Sequence, residues 1–379
     1  MPGFVDAHTH GAGLSFVQRG VTFDFLENSL LDFETTLDLE PETNSMLNAL
    51  RHIRNGSTTI HHNNWSMPSD PNEIENCEKK IKAYESTGIR LGFSLGIRNK
   101  NILAYDDVNF FKSLPSDLQQ EAKYLINIDA DAAIDDYFHA FDHLYQKFHQ
   151  GKVRVLLGPN WVQGSTDNFL QRVKARAEEL GGLPVHLHCL QTPVQKSFGL
   201  RTYGKSLVGH LEDLGLVDHN LVLGHAVYVN QADIDLLASR GASVTHHPSC
   251  NLATRNGIAP VYAMIKAGVN VALGIDEKGI NDDEDPIMEM RMVYYLHRQA
   301  GIDLINCPAL TPFDVLKIAT LNGAKPTGYE GQIGALEPGL EADMILVDLD
   351  EILNAPWVSP ECSLATLFVH RALGRHVNT

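Results

Sequence analysis

The chain has 379 residues, of which 44% are hydrophobic and 20% are charged, a composition typical of a globular protein with a large core. Its formal net charge of −17 argues against a general nucleic-acid-binding protein, and it contains neither the apolar run of about eighteen residues that predicts a membrane span nor an N-terminal signal peptide. Its five cysteines are scattered, odd in number and never in a CxxC pair, which indicates a reducing compartment, and we expect a cytoplasmic protein.

Short apolar runs that end in polar residues recur along the chain, and a segment with helical character follows each run. The runs are, in chain order, GFVDAHTH, STTIHHNN, IRLGFSLGIR, KVRVLLGPN, LPVHLHC, NLVLGHA, ASVTHHP and VNVALGID. Helices are predicted near residues 43–55, 72–87, 131–149, 167–180, 203–214, 230–240, 259–267 and 286–299. Eight strand–helix pairs without a break predict an α/β fold of the TIM type, a (β/α)₈ barrel.

The last part of the chain follows a different pattern. The segment GQIGALEPGLEADMILVDLD has Pro-Gly turn punctuation and alternating apolar residues, which predict a small β unit rather than a ninth barrel repeat. We therefore divide the chain into a barrel over residues 1–325 and a C-terminal β segment over residues 326–379. This segment is expected to form a small composite β-sandwich with the N-terminal end of the chain.

Histidine recurs where the predicted strands end, and active sites of such barrels lie at the carboxyl ends of the strands. The polar and aromatic residues at these ends are His8, His10, His61, His62, Arg98, Asn160, Trp161, His186, His188, His225, His246, His247 and Asp276. A nitrogen-rich subset of these residues suits one divalent metal ion with an open coordination position for water. It consists of His8, His10, His188 and Asp276. The alternative is that each of them is a surface or capping residue. That alternative can explain a single one of these residues, but it explains less well why all of them occur together.

Five segments resemble, in this order, motifs of the amidohydrolase superfamily: PGFVDAHTH, HLHC, LGHAVYV, VTHHPSCNL and VALGIDEKGINDDED. The resemblance covers essentially the whole chain, and the nearest branch contains cytosine and guanine deaminases, S-adenosylhomocysteine deaminase and triazine chlorohydrolases. It implies one divalent metal ion, zinc or else iron, at the positions of His8, His10, His188 and Asp276. It also implies that His225 contacts the water or the substrate and helps to move protons, while Asp276 takes the proton of the water.

Gln191 departs from this pattern. Three positions after the metal histidine of strand five, deaminases of this branch carry a glutamate that transfers a proton to a ring nitrogen. The glutamine found at this position here can form hydrogen bonds but cannot take up and release a proton. We therefore expect a hydrolase of a carbon–nitrogen bond other than a peptide bond, acting on a small nitrogen-rich or aromatic compound. One alternative is a deaminase or chlorohydrolase of a nitrogen heterocycle in which another acid replaces the glutamate. The other is a metal-binding barrel without turnover. Gln191 itself is either a substrate contact or a tolerated residue of the wall.

Further residues are candidates for contact with the substrate. His61 precedes a second histidine on the same strand, so at most one of that pair faces the pocket. His246 lies in a stretch that resembles the HNP-x-SN segment of relatives, where strand seven borders the substrate. Arg98 and Trp161 end predicted strands three and four and suit an anionic or aromatic substrate, although a solvated arginine or a buried tryptophan is the more frequent outcome. The acidic run 282–285 precedes a helix, and capping of that helix explains it adequately.

The resemblance also raises an expectation about the chain ends. In relatives a longer segment precedes the motif PGFVDAHTH and forms part of a β-sandwich with the C-terminal strands, whereas here the motif begins at residue 2. We expect either a half-built, truncated sandwich or a sequence that lacks this segment. Because a half-built sandwich leaves apolar strand edges uncovered, we also expect a homodimer or higher homo-oligomer.

Overall fold

A sheet of eight parallel strands forms the centre of this computed structural model, which describes residues 1–33, 36, 39–279, 281–298, 309–354 and 357–378. The strands lie in the sheet in chain order and are β1 (Phe4–Thr9), β2 (Ser57–Trp65), β3 (Arg90–Gly96), β4 (Val153–Leu157), β5 (Val185–Cys189), β6 (Leu221–His225), β7 (Ser243–His246) and β8 (Asn270–Leu273). Backbone hydrogen bonds join the end of β1 to the segment after β8, from Asp276 N–H to His8 O at 2.7 Å and from His10 N–H to Asp276 O at 3.2 Å. The predicted (β/α)₈ barrel is therefore confirmed.

Helices connect the strands and surround the barrel. They are α1 (Leu26–Phe33), α2 (Pro41–Arg54), α3 (Glu73–Thr87), α4 (Asp107–Ser113), α5 (Ser116–Ile126), α6 (Ala130–Phe148), α7 (Asp167–Glu179), α8 (Pro193–Tyr203), α9 (Leu207–Asp213), α10 (Gln231–Arg240), α11 (Pro248–Ala253), α12 (Val261–Ala267), α13 (Pro286–Leu296), α14 (Pro312–Ile318), α15 (Leu349–Leu353) and α16 (Leu364–Arg371). Across the described ranges, no helix combines the length and the apolar character needed to cross a membrane.

Two helices differ from the prediction in their extent. The helix predicted near 203–214 begins only at Leu207, because Gly204 ends α8 in the left-handed conformation (φ 71°) and Ser206 caps the first turn of α9. The helix predicted near 286–299 ends at Leu296, and residue 299 lies outside the described residues. The described cysteines, Cys77, Cys189, Cys250 and Cys362, are free thiols, and Cys307 also lies outside the described residues.

The strands are buried because helices cover the outer face of the barrel. β3 is buried along its whole length, and its Leu91 and Phe93 belong to the main core. On α6, Ile134, Phe141 and Leu144 recur at the spacing of one helical face, and all are fully buried. This apolar layer anchors the strands from outside, so the side chains at the strand ends project from a rigid frame.

The C-terminal segment forms a small two-stranded antiparallel sheet next to the N-terminal residue. Its strands are β9 (Leu346–Val347) and β10 (Val377–Asn378). The first residue joins the same unit, because Ile345 N–H donates to Met1 O at 3.0 Å. The segment predicted as β also contains the helices α15 and α16. α16 packs its apolar residues against the barrel, with the Phe368 ring centroid 6.1 Å from that of Phe4. The domain boundary at residue 325 stays a prediction.

A buried carboxylate ties β1 to the end of β8. Asp6 Oδ1 accepts hydrogen bonds from the backbone N–H of His8 at 3.1 Å and of Ile275 at 2.9 Å. Asp6 Oδ2 lies 2.9 Å from His52 Nε2, and Glu284 Oε2 lies 3.7 Å from the same nitrogen. All of these side chains are buried, so donors of the protein replace the water that would otherwise solvate the Asp6 carboxylate.

Replacement of Asp6 tests this arrangement. We expect Asp6→Ala to lower the free energy of unfolding by about 3–5 kcal/mol, because it leaves buried donors of the backbone and of His52 without their acceptor. Urea-induced unfolding followed by circular dichroism measures the loss. Asp135→Ala is the control, because the exposed pair of Asp135 with Arg172 contributes at most about 1 kcal/mol. Equal losses in the two variants would contradict the role assigned to Asp6.

Candidate active site

The carboxyl ends of the barrel strands carry strained backbone. Among the described non-glycine residues with positive φ, those at or just after strand ends are Asn160, Leu190, His225, Ala226 and Asp276. Their φ values lie between 27° and 72°, a region that residues with a Cβ rarely adopt. Such strain persists where surrounding contacts over-determine it, and it concentrates at functional sites. This end of the barrel is therefore the candidate site.

The predicted metal ligands bring their donor atoms together at this end. His10 Nε2 lies 3.3 Å from His188 Nε2 and 3.2 Å from Asp276 Oδ1. His8 Nε2 lies 3.6 Å from the same oxygen of Asp276, is buried and has no hydrogen-bond partner. A tetrahedral site with metal–ligand bonds of about 2.0–2.1 Å separates adjacent ligand atoms by about 3.3 Å. These spacings fit one divalent metal ion.

A hydrogen bond at Nδ1 fixes the tautomer of two of these histidines, His10 and His188. His10 Nδ1 lies 3.0 Å from the backbone oxygen of Asn63, and His188 Nδ1 lies 3.0 Å from that of Asn160. Because a carbonyl oxygen only accepts, each Nδ1 carries the proton and each Nε2 presents its lone pair. The strand ends thus hold both rings in the tautomer that a metal requires.

His186 and His61 lie next to His8, the first of the candidate metal ligands. His186 Nε2 is 2.8 Å from His8 Nδ1, so His186 orients the His8 ring. The His61 ring packs edge-on against His186 with centroids 4.7 Å apart, and its Nε2 is 3.1 Å from Ser94 Oγ. Burial lowers the pKa of His61 to about 3. His61 is not among the residues that line the cavity, whereas His62 of the same pair is, and the predicted substrate contact of His61 stays a prediction.

The electrostatics of the site combine the neutral imidazoles of His8 and His188 with an ionised Asp276 and a His10 whose charged form Asp276 favours. Burial lowers the pKa of His188 to about 3, and burial together with nearby His247 lowers that of His8 well below its usual value. Burial also disfavours a charged His10, but the hydrogen bond and charge of Asp276, the charge of Glu277 and the backbone oxygen of Asn63 together raise the His10 pKa to about 9. Burial opposes ionisation of Asp276 as well, yet the surrounding histidines hold its pKa well below the usual range. This donor set attracts a cation.

His225 and His247 lie on the other side of Asp276. His225 Nε2 is 3.5 Å from Asp276 Oδ2 and has no hydrogen-bond partner, while its Nδ1 is 2.9 Å from Asn251 Oδ1. His247 Nδ1 is 3.3 Å from the same Asp276 oxygen and 3.1 Å from His225 Nδ1. The structure therefore brings His225 to the place the sequence predicts and adds His247, which the predicted site does not include.

His246, the predicted member of this histidine pair, lies elsewhere. Its Nε2 is 3.1 Å from His297 Nε2, at the end of α13. His247 reaches the site because Gly274 leaves room for its ring: a Cβ on Gly274 would lie 2.4 Å from His247 Cδ2 and 2.8 Å from His8 Cβ. The signal in the sequence was the pair itself, since only one of two adjacent residues faces inward.

A cavity of about 380 Å³ opens at the candidate metal site. Arg98 and Trp161, both predicted as substrate contacts, line it. The Arg98 guanidinium carbon lies 4.7 Å from the ring centroid of Trp161 and 5.0 Å from that of Trp65. A cation held on two indole rings makes a flat wall that suits an aromatic or electron-rich ligand.

Three polar side chains of the cavity lining, those of Asn160, Gln191 and Glu277, have a buried oxygen atom without a partner. Gln191 is buried, and its Oε1 has no hydrogen-bond partner. Glu277 directly follows Asp276, and its Oε2 is likewise buried and unpaired. Burial raises the pKa of Glu277 to about 7, with His10 opposing the rise and Asp276 adding to it. Glu277 is not among the residues predicted from the sequence, because no local pattern distinguishes it from the acidic run 282–285.

Comparisons with known proteins agree with this geometry. The sequence profile of the amidohydrolase family matches residues 1–370. A 5'-deoxyadenosine deaminase of Methanosarcina mazei is 30% identical over 385 residues, which span 100% of this chain and 78% of that protein. A 5-methylthioadenosine/S-adenosylhomocysteine deaminase of Caldanaerobacter subterraneus subsp. tengcongensis is 29% identical over 384 residues, with 100% and 78% covered. The resemblance drawn from the motifs is confirmed.

Solved structures share the fold. An adenosine deaminase from Xanthomonas campestris with bound zinc has a TM-score of 0.77 at 25% identity, over 100% of this chain and 77% of that chain. Atrazine chlorohydrolase from Arthrobacter aurescens TC1, complexed with zinc, has a TM-score of 0.78 at 20% identity, over 100% of this chain and 83% of that chain. At that identity the chlorohydrolase supports the architecture alone.

Removal of one donor tests the metal site. We expect His188→Ala to lose most of its bound divalent metal, because it removes one of the three imidazole donors and leaves fewer protein bonds to hold the ion. Metal analysis of the protein after dialysis against buffered zinc measures the stoichiometry. His139→Ala, at an exposed position on α6, is the control and should keep its metal content. Unchanged stoichiometry in His188→Ala would remove this residue from the ligand set.

Proposed function

This chain belongs to the amidohydrolase family and is a hydrolase of carbon–nitrogen bonds other than peptide bonds. From this premise we propose that it hydrolyses such a bond in a small nitrogen heterocycle and uses one divalent metal ion. The observation that carries the proposal is the convergence, next to an aromatic cavity, of His8, His10 and His188, whose nitrogens lie within 4.8 Å of one another. Asp276 completes the set, with its Oδ1 3.2 Å from His10 Nε2 and 3.6 Å from His8 Nε2. Zinc is the proposed ion, a choice that the zinc-bound adenosine deaminase supports.

The protein groups around the donor atoms divide the proton chemistry between them. A divalent ion, when bound, supplies Lewis acidity that lowers the pKa of a water molecule towards neutrality. Asp276 takes the first proton of that water, because its Oδ2 faces His225 and His247 and remains available on the side away from His10. His225 Nε2, which has no protein partner, contacts the oxygen that attacks the substrate and steadies the charge that develops on it.

Deamination is the form of this reaction that the relatives favour. Both sequence relatives are deaminases of adenine-containing compounds, which suggests an amino group on an aromatic ring as the leaving group. Gln191 argues for the other form, hydrolysis of an amide or carbamate, because that reaction needs no proton delivered from its position. The two forms differ in the substrate and not in the use of the candidate metal site.

An assay of wild type beside Gln191→Glu tests the function. The panel contains 5'-deoxyadenosine, 5-methylthioadenosine, S-adenosylhomocysteine and guanine, together with amide and carbamate derivatives of heterocyclic amines. We expect zinc-loaded wild type to release amine or ammonia from at least one of these compounds. We expect Gln191→Glu to lower that activity about tenfold or more, because it adds a carboxylate to a cavity that already contains Asp276 and Glu277.

Gln150→Glu, at an exposed position, controls for the added charge and should leave the rate unchanged. Release of the amino group from a ring would identify a deaminase, and cleavage of an amide or carbamate would identify the other form. Absence of turnover by the zinc-loaded wild type on the whole panel would contradict the proposed function.

His225 is expected to serve turnover rather than metal retention. His225→Ala should keep its zinc, because the ligand set is complete without it, and should lose about a hundredfold or more in kcat, the usual effect of removing a positioned acid–base group. Metal analysis and steady-state kinetics on the best substrate of the panel measure the two effects. Nearly intact activity would show that His225 is structural.

A further inference from the structure

A second carboxylate reaches the cavity beside the candidate metal ligands. Among the described residues that line the cavity, Asp276 and Glu277 are the two acids. A carboxylate oxygen of Glu277, a ring nitrogen of His10 and a carboxylate oxygen of Asp276 lie within 4.8 Å of one another. Glu277 thus lies at the reacting end of the cavity, although neither the ligand set nor the water chemistry described above uses it.

The Glu277 side chain has an acceptor that the protein does not satisfy. Its Oε2 is buried and has no hydrogen-bond partner. Glu284 Oε2 is also buried without a hydrogen bond, but it faces His52 Nε2 at 3.7 Å and does not line the cavity. Glu289, by contrast, accepts at Oε2 from Ser249 N–H at 3.1 Å. Buried acceptors without a partner are rare, and one that lines a binding cavity can be satisfied by a donor of the ligand.

Gln191 adds a second acceptor of the same kind. Its Oε1 is also buried without a partner and lines the same cavity. A ligand that satisfies both side chains carries N–H donors, such as an amino group and a protonated ring nitrogen. The wall formed by Arg98 and the indole rings fits the flat ring of that ligand.

We propose that Glu277 is a catalytic residue, which contacts the nitrogen of a bound aminoheterocycle and performs the proton transfer that Gln191 cannot. The inference rests on the proposed function and makes the reaction a deamination. The water oxygen bonds to the ring carbon, and the bond from that carbon to the amino nitrogen breaks. One water proton passes through Glu277 to the ring nitrogen, and the other passes through Asp276 to the amino nitrogen, which leaves as ammonia. Both carboxylates return to their starting state, and the products are a lactam and ammonia.

Glu277→Gln is the variant that tests the inference, because it keeps the shape of the side chain and removes its ability to carry a proton. We expect ammonia release to fall about a hundredfold or more, with zinc content unchanged. Asp282→Asn is the matched control: it removes a carboxylate from the same loop, and its side chain bonds to Ser15 Oγ at 2.9 Å. The control should retain its rate within about twofold, since it removes no proton carrier.

Rescue distinguishes a proton carrier from a merely structural residue. In the double variant Gln191→Glu/Glu277→Gln, a carboxylate returns to the cavity from the other wall, and we expect it to recover about tenfold of the lost rate. Glu277→Asp, which keeps the carboxylate on a shorter arm, should show a smaller loss than Glu277→Gln. It also serves as the second variant if Glu277→Gln does not fold.

Ligand binding gives a readout that is independent of turnover. The probes are the lactam product of the panel compound that wild type deaminates fastest and the same lactam methylated on its ring nitrogen. By calorimetry, we expect Glu277→Gln to bind the lactam about tenfold more weakly than wild type does, because the N–H loses a charged acceptor. The methylated lactam, which has no N–H to donate, should bind equally to both proteins.

Each other outcome overturns the inference in a distinct way. A rate within twofold of wild type in Glu277→Gln means that Glu277 carries no proton. Loss of zinc from Glu277→Gln means that Glu277 is a ligand instead. Equal lactam affinity in the two proteins removes the proposed contact. If wild type cleaves only amides or carbamates, the deamination is wrong while the proposed hydrolase function stands. If wild type turns over nothing on the panel, the proposed function itself fails.

Discussion

The carboxylate of Asp6 is the constraint on which the candidate site depends. By accepting hydrogen bonds from the amides of His8 and Ile275, it fixes the first barrel strand against the last at the level where the candidate ligands leave the sheet. A slip of one residue in either strand would turn His8 or Asp276 to the other face. The buried carboxylate therefore specifies a register, and its removal alone is costly because its buried donors lose their acceptor.

The chemistry of the site follows from how little water reaches it. Burial keeps His8 and His188 neutral, so their lone pairs are available, while Asp276 retains its charge because histidines replace its hydration. Asp276 and His225 also adopt positive φ, at a cost in backbone energy. The apolar layer under α6 and the other helices stabilises the frame that holds these strained positions. Such preorganised groups need no rearrangement when charge develops on a substrate.

A barrel can supply one chemical group from more than one strand end. All of its strands direct residues towards a single cavity, so a carboxylate that is absent after β5, where Gln191 stands, can come instead from the turn after β8, where Glu277 stands. Deaminase relatives and a missing glutamate are compatible on this basis. What the reaction requires is a proton carrier within reach of the substrate nitrogen, whichever strand provides it.

Sequence periodicity alone determined the barrel, and the motifs at the strand ends indicated His8, His10, His188, His225 and Asp276, because residues two apart on a strand share a face and the ends of parallel strands converge. Tertiary structure decided which histidine of each adjacent pair faces inward, because the choice depends on neighbouring residues. Gly274 is one such neighbour: it leaves room for the His247 ring and packs against His8, which is remote in sequence. The tertiary structure also explains why α16 is a helix in a segment predicted as β: its apolar residues pack against an apolar surface of the barrel. Glu277 was found only in three dimensions: the turn after β8 brings its side chain into the cavity, and no local pattern distinguishes it from the acidic run that follows.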